Sequence, residues 1–88
     1  MTLNTPPTDG DLPPLIQTPP GRYQHYKGGL YDVIDTVRHS ETLEPMTLYR
    51  ALYGARGLWV RPAAMFSENV NIADATGSKA VARFQKIG

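Results

Sequence analysis

The chain has 88 residues, which is enough for one domain at most. It contains no cysteine, so disulfides, thiolate metal sites and cysteine nucleophiles are excluded, and its formal net charge of +1 makes no general case for nucleic acid or an acidic membrane as a partner. No apolar run approaches the ~20 residues that span a bilayer and no signal-peptide pattern is present, so we expect a soluble, cytoplasmic protein without a membrane partner.

Proline dominates the first part of the chain. Residues 1–20 contain six of the 8 prolines, as three Pro-Pro pairs. Proline donates no backbone hydrogen bond and restricts the residue before it, so neither a helix nor a central strand forms there. We predict a disordered, proline-rich tail over residues 1–20 and a globular domain over residues 21–88. The tail has no PxxP spacing, which weakens a role as a proline-rich ligand.

The rest of the chain alternates strand patterns with turns. Apolar alternation and β-branched or aromatic residues predict four strands, at 22–26, 30–38, 46–53 and 58–61. Glycine turns and one polar loop separate them. Pro62 begins a single helical turn to Phe66, and two further strands, at 69–72 and 81–87, flank a turn at 73–79. Short strands with almost no helix predict an all-β domain, and a helical turn before a late strand favours a small SH3-like barrel.

Five sequence blocks in this order carry a family resemblance: GRYQHYKGGLYDV, RHSETLE, LYRALYG, LWVRPAAMF and RFQKI. Together they resemble the small bacterial proteins of the family called domain of unknown function 1653, from Gly21 to Ile87. Val37 stands where alanine is expected, and residues 71–80 form a longer segment than usual. The resemblance implies a compact domain found alone in bacteria and phages, and it implies no activity and no catalytic residues.

Histidines and glutamates offer one set of candidate catalytic residues. His25, His39, Glu41 and Glu44 are residue types that bind zinc or iron, but their spacing matches no metal motif. The H-x-E at His39 lacks the cysteines that a zinc deaminase needs. We therefore expect no metal and no cofactor, and a small enzyme using these four residues is the alternative function.

Aromatic residues offer a second set. In the third and fourth predicted strands, leucines and Val60 share one face, while Tyr49, Tyr53 and Trp59 share the other. We predict that the aliphatic face joins the core, whose expected members are Val33, Val37, Met65, Phe66 and Phe84.

The aromatic face then has two interpretations. In one, both faces are buried and tyrosine hydroxyls reach the rim. In the other, a shallow groove is lined by aromatic side chains, with histidines and arginines at its edges: Tyr26, Tyr49 and Trp59, with His25, Arg38, His39 and Arg61.

Aromatic faces beside arginines stack bases or bind peptides. The sequence therefore predicts a non-catalytic binding module with nucleic acid or a protein as its ligand. A small enzyme and a purely structural subunit remain as alternatives, and the sequence identifies no particular partner.

Overall fold

The computed structural model describes residues 12–75 and 77–88. Predictions that concern residues 1–11 and Thr76 lie outside this range. The described residues form seven strands and one short helix, in this order: β1 (Gly21–His25), β2 (Leu30–Arg38), β3 (Pro45–Ala51), β4 (Leu58–Pro62), α1 (Ala63–Phe66), β5 (Asn69–Asp74), β6 (Gly77–Ala82) and β7 (Phe84–Lys86). The prediction of a mostly β domain with one helical turn is confirmed.

The strands form two antiparallel sheets. The larger sheet has the order β4-β3-β2-β1-β7, and the smaller one is the hairpin β5-β6. Within the described ranges no ladder joins β4 to β7, so the SH3-like barrel stays a prediction. No helix of these residues is long and apolar enough to cross a membrane.

The C-terminal strands differ from the prediction. A turn was expected at residues 73–79 and one strand at 81–87, but β6 begins at Gly77 and ends before Arg83, and β7 follows it. At Arg83 the backbone amide donates to the carbonyl oxygen of Glu68, and the Arg83 carbonyl accepts from the amide of Tyr26. The chain therefore leaves the small hairpin at Arg83 and joins the large sheet beside β1, where Phe84 pairs with His25.

The core lies on the aromatic face of the large sheet. Its buried cluster consists of Tyr23, Val33, Tyr49, Phe66 and Phe84. Phe66 from α1 stacks on Phe84 with ring centroids 4.1 Å apart and contacts Tyr23 edge-on. Because α1 is only four residues long, large rings from the sheet are needed to fill the space beneath it.

The prediction of an aliphatic core face on β3 and β4 is therefore wrong. Leu58 and Val60 are both 52% exposed, whereas Tyr49 is 6% exposed. Val37 was also expected in the core, but the register shifts between Val33 and Asp35. Such a bulge changes which side chains face inward, so Thr36 is buried and Val37 only half-buried.

Residues 12–20 precede the sheet and form neither helix nor strand. They nevertheless contact the domain, since the Thr18 side chain is buried and bonded to the hydroxyl of Thr47. Gly21 therefore begins the first strand, but residues before it already pack against the sheet.

Candidate binding surface

The core face of the sheet continues beyond the buried cluster at the edge strand β4. Trp59 pairs with Tyr49 across β3 and β4, so both side chains lie on this face. Tyr49 is inside the core, but Trp59 belongs to the outermost strand and is 59% exposed. A large aromatic ring with this exposure is available to a ligand.

Arg61 lies two residues after Trp59 and therefore on the same face. Its guanidinium carbon is 5.7 Å from the ring centroid of Phe84, so the side chain reaches across the face from the edge strand. The Nε atom of Arg61 is buried and has no hydrogen-bond partner among the described residues. A buried donor of this kind favours an acceptor group from a ligand or from water.

His25 also contacts the Phe84 ring. The two ring centroids are 4.9 Å apart with the planes nearly perpendicular, and the ring of Tyr26 is 4.5 Å from that of His25. The His25 Nδ1 atom accepts a hydrogen bond from the backbone amide of Lys27, which leaves Nε2 for a ligand.

Burial lowers the pKa of His25, and the neighbouring charges of Arg61, Lys27 and Arg83 lower it further. All three of these charges are positive. The imidazole is therefore neutral near pH 7. Arg83 is itself paired with Glu68 at 2.8 Å, so Arg61 and Lys27 are the main sources of positive charge near His25.

Two tyrosines complete this end of the sheet. The hydroxyl oxygens of Tyr31 and Tyr53 are 2.5 Å apart, and the Tyr53 ring is 55% exposed. Burial and the hydrogen bond to Tyr53 raise the pKa of Tyr31 to about 12, so its hydroxyl stays protonated at any physiological pH.

These residues together are a candidate surface at the margins of the core face, with His25 and Tyr26 at the end of β1, Tyr53 after β3, and Trp59 and Arg61 on the edge strand β4. We call it the aromatic–arginine surface, and it consists of His25, Tyr26, Tyr53, Trp59 and Arg61. Four of the five were predicted as binding residues. Tyr53 was not among them, because only the fold shows that its ring packs against Tyr31 at this end.

Three other predicted residues lie elsewhere. Tyr49 is part of the core and does not line a groove. Arg38 ends β2, and its Nη1 atom donates to the carbonyl oxygens of Pro13 and Leu43. The predicted groove therefore lacks Tyr49 and Arg38, and for the remaining residues it stays a prediction.

His39 follows Arg38, and its Nδ1 atom accepts from the backbone amides of Glu41 and Thr42. It thus organises the loop after β2. His25 sits beside the start of β2, and a strand of this length spans roughly 25 Å.

The catalytic alternative needs His25 close to His39, Glu41 and Glu44, and the fold keeps them apart. Within residues 12–75 and 77–88, no three histidine, aspartate or glutamate side chains cluster closely enough to hold a metal ion. Glu44 instead accepts a hydrogen bond from the hydroxyl of Thr42 in the same loop. Nothing in the geometry favours the enzyme alternative.

The sequence comparison decides the family. The model of a family described as protein of unknown function (DUF1653) matches residues 21–86. The chain belongs to the DUF1653 family. This confirms the resemblance seen in the sequence blocks, and the match begins at Gly21, the first residue of β1.

A DUF1653 protein from Bordetella bronchiseptica has a similar crystal structure. The two chains are 32% identical, and their superposition has a TM-score of 0.66 over 81% of this chain and 88% of the other. No curated protein matches the chain significantly. The DUF1653 relationship thus supports the fold and leaves the activity to be argued from the surface itself.

Proposed function

We propose that this DUF1653 domain is a non-catalytic binding module whose ligand contacts the aromatic–arginine surface. One observation carries the proposal. The exposed Trp59 ring lies on the same sheet face as Arg61, whose buried Nε lacks a partner among the described residues. A flat apolar group beside an unsatisfied cationic donor suits a ligand that is both aromatic and anionic.

Single-stranded nucleic acid is the ligand class that fits best. Bases stack on exposed aromatic rings, and phosphates accept hydrogen bonds from arginine. Trp59 and Tyr53 supply the exposed rings, and the guanidinium of Arg61 lies on the same sheet face as Trp59. The positive charges of Arg61 and Lys27 near His25 add an attraction for phosphate.

The setting of the module is part of the same proposal. An SH3-like barrel is the architecture that we propose for it, since a five-stranded antiparallel sheet covered by one helical turn is compatible with that class. A reducing compartment such as the cytoplasm suits a chain without cysteine.

The test is an amide NMR titration of the full chain with short mixed-sequence DNA and RNA strands at low and moderate salt. We expect shifts at His25, Tyr53, Trp59 and Arg61 that weaken as salt rises, because phosphate contacts release counterions. Binding that salt does not change would contradict a nucleic-acid ligand and point to a protein. An absence of shifts at low salt would contradict the surface as a nucleic-acid site.

Neighbouring residues on β4 give a matched pair of variants. Trp59→Ala should weaken binding by roughly 10-fold or more, since stacking of one base contributes ~1–3 kcal/mol. Val60→Ala is the control, because Val60 is similarly exposed but lies on the opposite face of the sheet. Arg61→Gln should reduce the slope of log affinity against log salt by about one phosphate contact.

A further inference from the structure

Threonine hydroxyls fasten the residues before β1 to the sheet. The backbone amide of Thr18 donates to Thr36 Oγ1 at 2.9 Å, and the Thr18 hydroxyl is 2.6 Å from that of Thr47. All three threonines are buried, and Thr47 is fully so. Two polar groups on the sheet therefore find their partners in a segment that the family match does not include.

Two more contacts hold the same segment at its ends. The Tyr23 hydroxyl donates to the carbonyl oxygen of Pro19 at 2.7 Å, and Arg38 Nη1 donates to the carbonyl oxygen of Pro13 at 2.9 Å. We call residues 13–20 the strap. Side chains from β1, β2 and β3 thus contact it at Pro13, Thr18 and Pro19.

Most of these contacts recognise backbone. The Thr18 amide and the carbonyls of Pro13 and Pro19 are main-chain groups, and only the Thr18 hydroxyl is a side-chain feature. Pro-Pro pairs at both ends of the strap favour an extended backbone with carbonyls free to accept. This is how a groove binds a proline-rich peptide, with pre-extended backbone and one side chain that gives specificity.

The strap does not fill the space it covers. A cavity of about 560 Å³ lies between residues 16–19 and α1, with Ala63, Phe66 and Phe84 among its apolar walls. Ile16 stands at its margin with 76% of its surface exposed. The next residue, Gln17, is polar, so the apolar walls have no matching side chain from the strap at that position.

We propose that this groove is a second binding site, which takes an extended, proline-flanked peptide of a partner protein and which the strap occupies in its absence. The partner peptide has a threonine in the place of Thr18 and an apolar residue in the place of Gln17, where it reaches the cavity. The groove adjoins Arg61 of the aromatic–arginine surface, which pairs with Thr47. The contacts that hold the strap are nevertheless made by other residues, so this proposal does not depend on the proposed function.

The test uses the full chain with the strap released. Thr18→Asp places a carboxylate against the hydroxyls of Thr36 and Thr47, where its desolvation is costly, so the strap leaves the groove. Because Arg61 pairs with Thr47, the same measurement is also made on Thr18→Asp combined with Arg61→Gln. The probe is a synthetic peptide with the sequence of residues 13–20, Pro-Pro-Leu-Ile-Gln-Thr-Pro-Pro. Amide NMR shifts of residues 36 and 47 report whether it enters the groove.

We expect the Thr18→Asp chain to bind this peptide at least ~10-fold more tightly than the unmodified chain, in which the tethered strap competes at an effective concentration of about millimolar. A peptide with leucine in place of glutamine should bind more tightly still. A peptide with valine in place of threonine should bind roughly 5-fold more weakly, since one hydrogen bond is lost.

Two results would overturn the proposal. One is a folded Thr18→Asp chain whose residues 36 and 47 do not shift at millimolar peptide. The other is a doubled mass of the unmodified chain in sedimentation with the strap exchanged between copies, which would make a second copy the occupant. If Thr18→Asp does not fold, Thr18→Val removes the hydroxyl contact and keeps the shape of the side chain, and the same titration of that variant decides by the shifts of residues 36 and 47.

Discussion

Replacing Tyr49 by alanine tests which face of the sheet is the core. Tyr49 packs edge-on or tilted against three other rings: Tyr31, Phe66 and Phe84, with centroid separations of 5.5, 5.4 and 5.8 Å. Removing such a ring exposes or empties about 150 Å² of contact area, which at ~25 cal/mol per Å² corresponds to about 4 kcal/mol. This agrees with the ~3–5 kcal/mol usual for buried aromatic residues changed to alanine.

Two further variants serve as controls for Tyr49→Ala. Tyr49→Phe keeps the ring and should cost less than about 1 kcal/mol. Val60→Ala removes an aliphatic side chain that is more than half exposed on the opposite face and should cost about 1 kcal/mol at most.

Equilibrium urea unfolding, followed by tyrosine and tryptophan fluorescence, measures the free energy of unfolding of each variant. If the aromatic face is the core, Tyr49→Ala should lower the free energy of unfolding by at least ~2 kcal/mol more than Val60→Ala does. Equal losses, or a larger loss for Val60→Ala, would refute it. A small loss for both would mean that the sheet is held together by other contacts.

Three further predictions concern titrating groups and the strap. The folded pKa of His25 lies below the ordinary 6.5, so the unfolded chain takes up the proton first as the pH drops. The free energy of unfolding should therefore fall below about pH 6.5. In His25→Gln, a plot of the free energy of unfolding against pH should be flatter in this range. Because the folded pKa of Tyr31 is raised to about 12, stability should fall as the pH rises from about 10 towards 12; in an absorbance titration of tyrosinate, Tyr53→Phe should move the Tyr31 midpoint down, and an unchanged midpoint would contradict the hydroxyl pair. Thr47→Val should cost ~1–2 kcal/mol by leaving the Thr18 hydroxyl without its partner, and adding Thr18→Val should recover most of that loss in a double-mutant cycle.

The sequence was sufficient for most of the strand positions. Glycine turns and Pro62 gave the boundaries of the first four strands and of α1 to within two residues. Local chemistry determines such boundaries, because positive φ and a missing amide act at single positions. The C-terminal strands were less predictable, since β7 exists through its long-range pairing with β1.

The choice of core face was beyond sequence reasoning. Alternation showed that Tyr49 and Leu48 lie on opposite faces of β3 but not which face would be covered. That depends on where α1 and the strap lie, and on a bulge that changes the parity of β2 after Val33. Both are tertiary features without a local signal.

The site was predicted in part for the same reason. Trp59 and Arg61 were recognised because an aromatic ring and an arginine two residues apart share a face in any strand. Arg38 and His39 were grouped with them on residue type alone. The Arg38 side chain instead donates to the carbonyl oxygens of Pro13 and Leu43, and the length of β2 separates His39 from His25. The strap contacts were not predicted, since proline pairs alone indicate an extended chain but not what it contacts.

The pairing of β1 with β7 also bears on the order in which the domain folds. Strands β2, β3 and β4 follow one another as neighbours in the sheet, so their ladders close short loops. The β1–β7 ladder joins His25 to Phe84 and closes a loop of about 60 residues, which costs more chain entropy and forms late. We expect low φ-values for substitutions of Phe84 and higher ones in the β2–β3 hairpin. While the nascent chain is still on the ribosome, β1 therefore has β2 as its neighbour and an open second edge until β7 emerges.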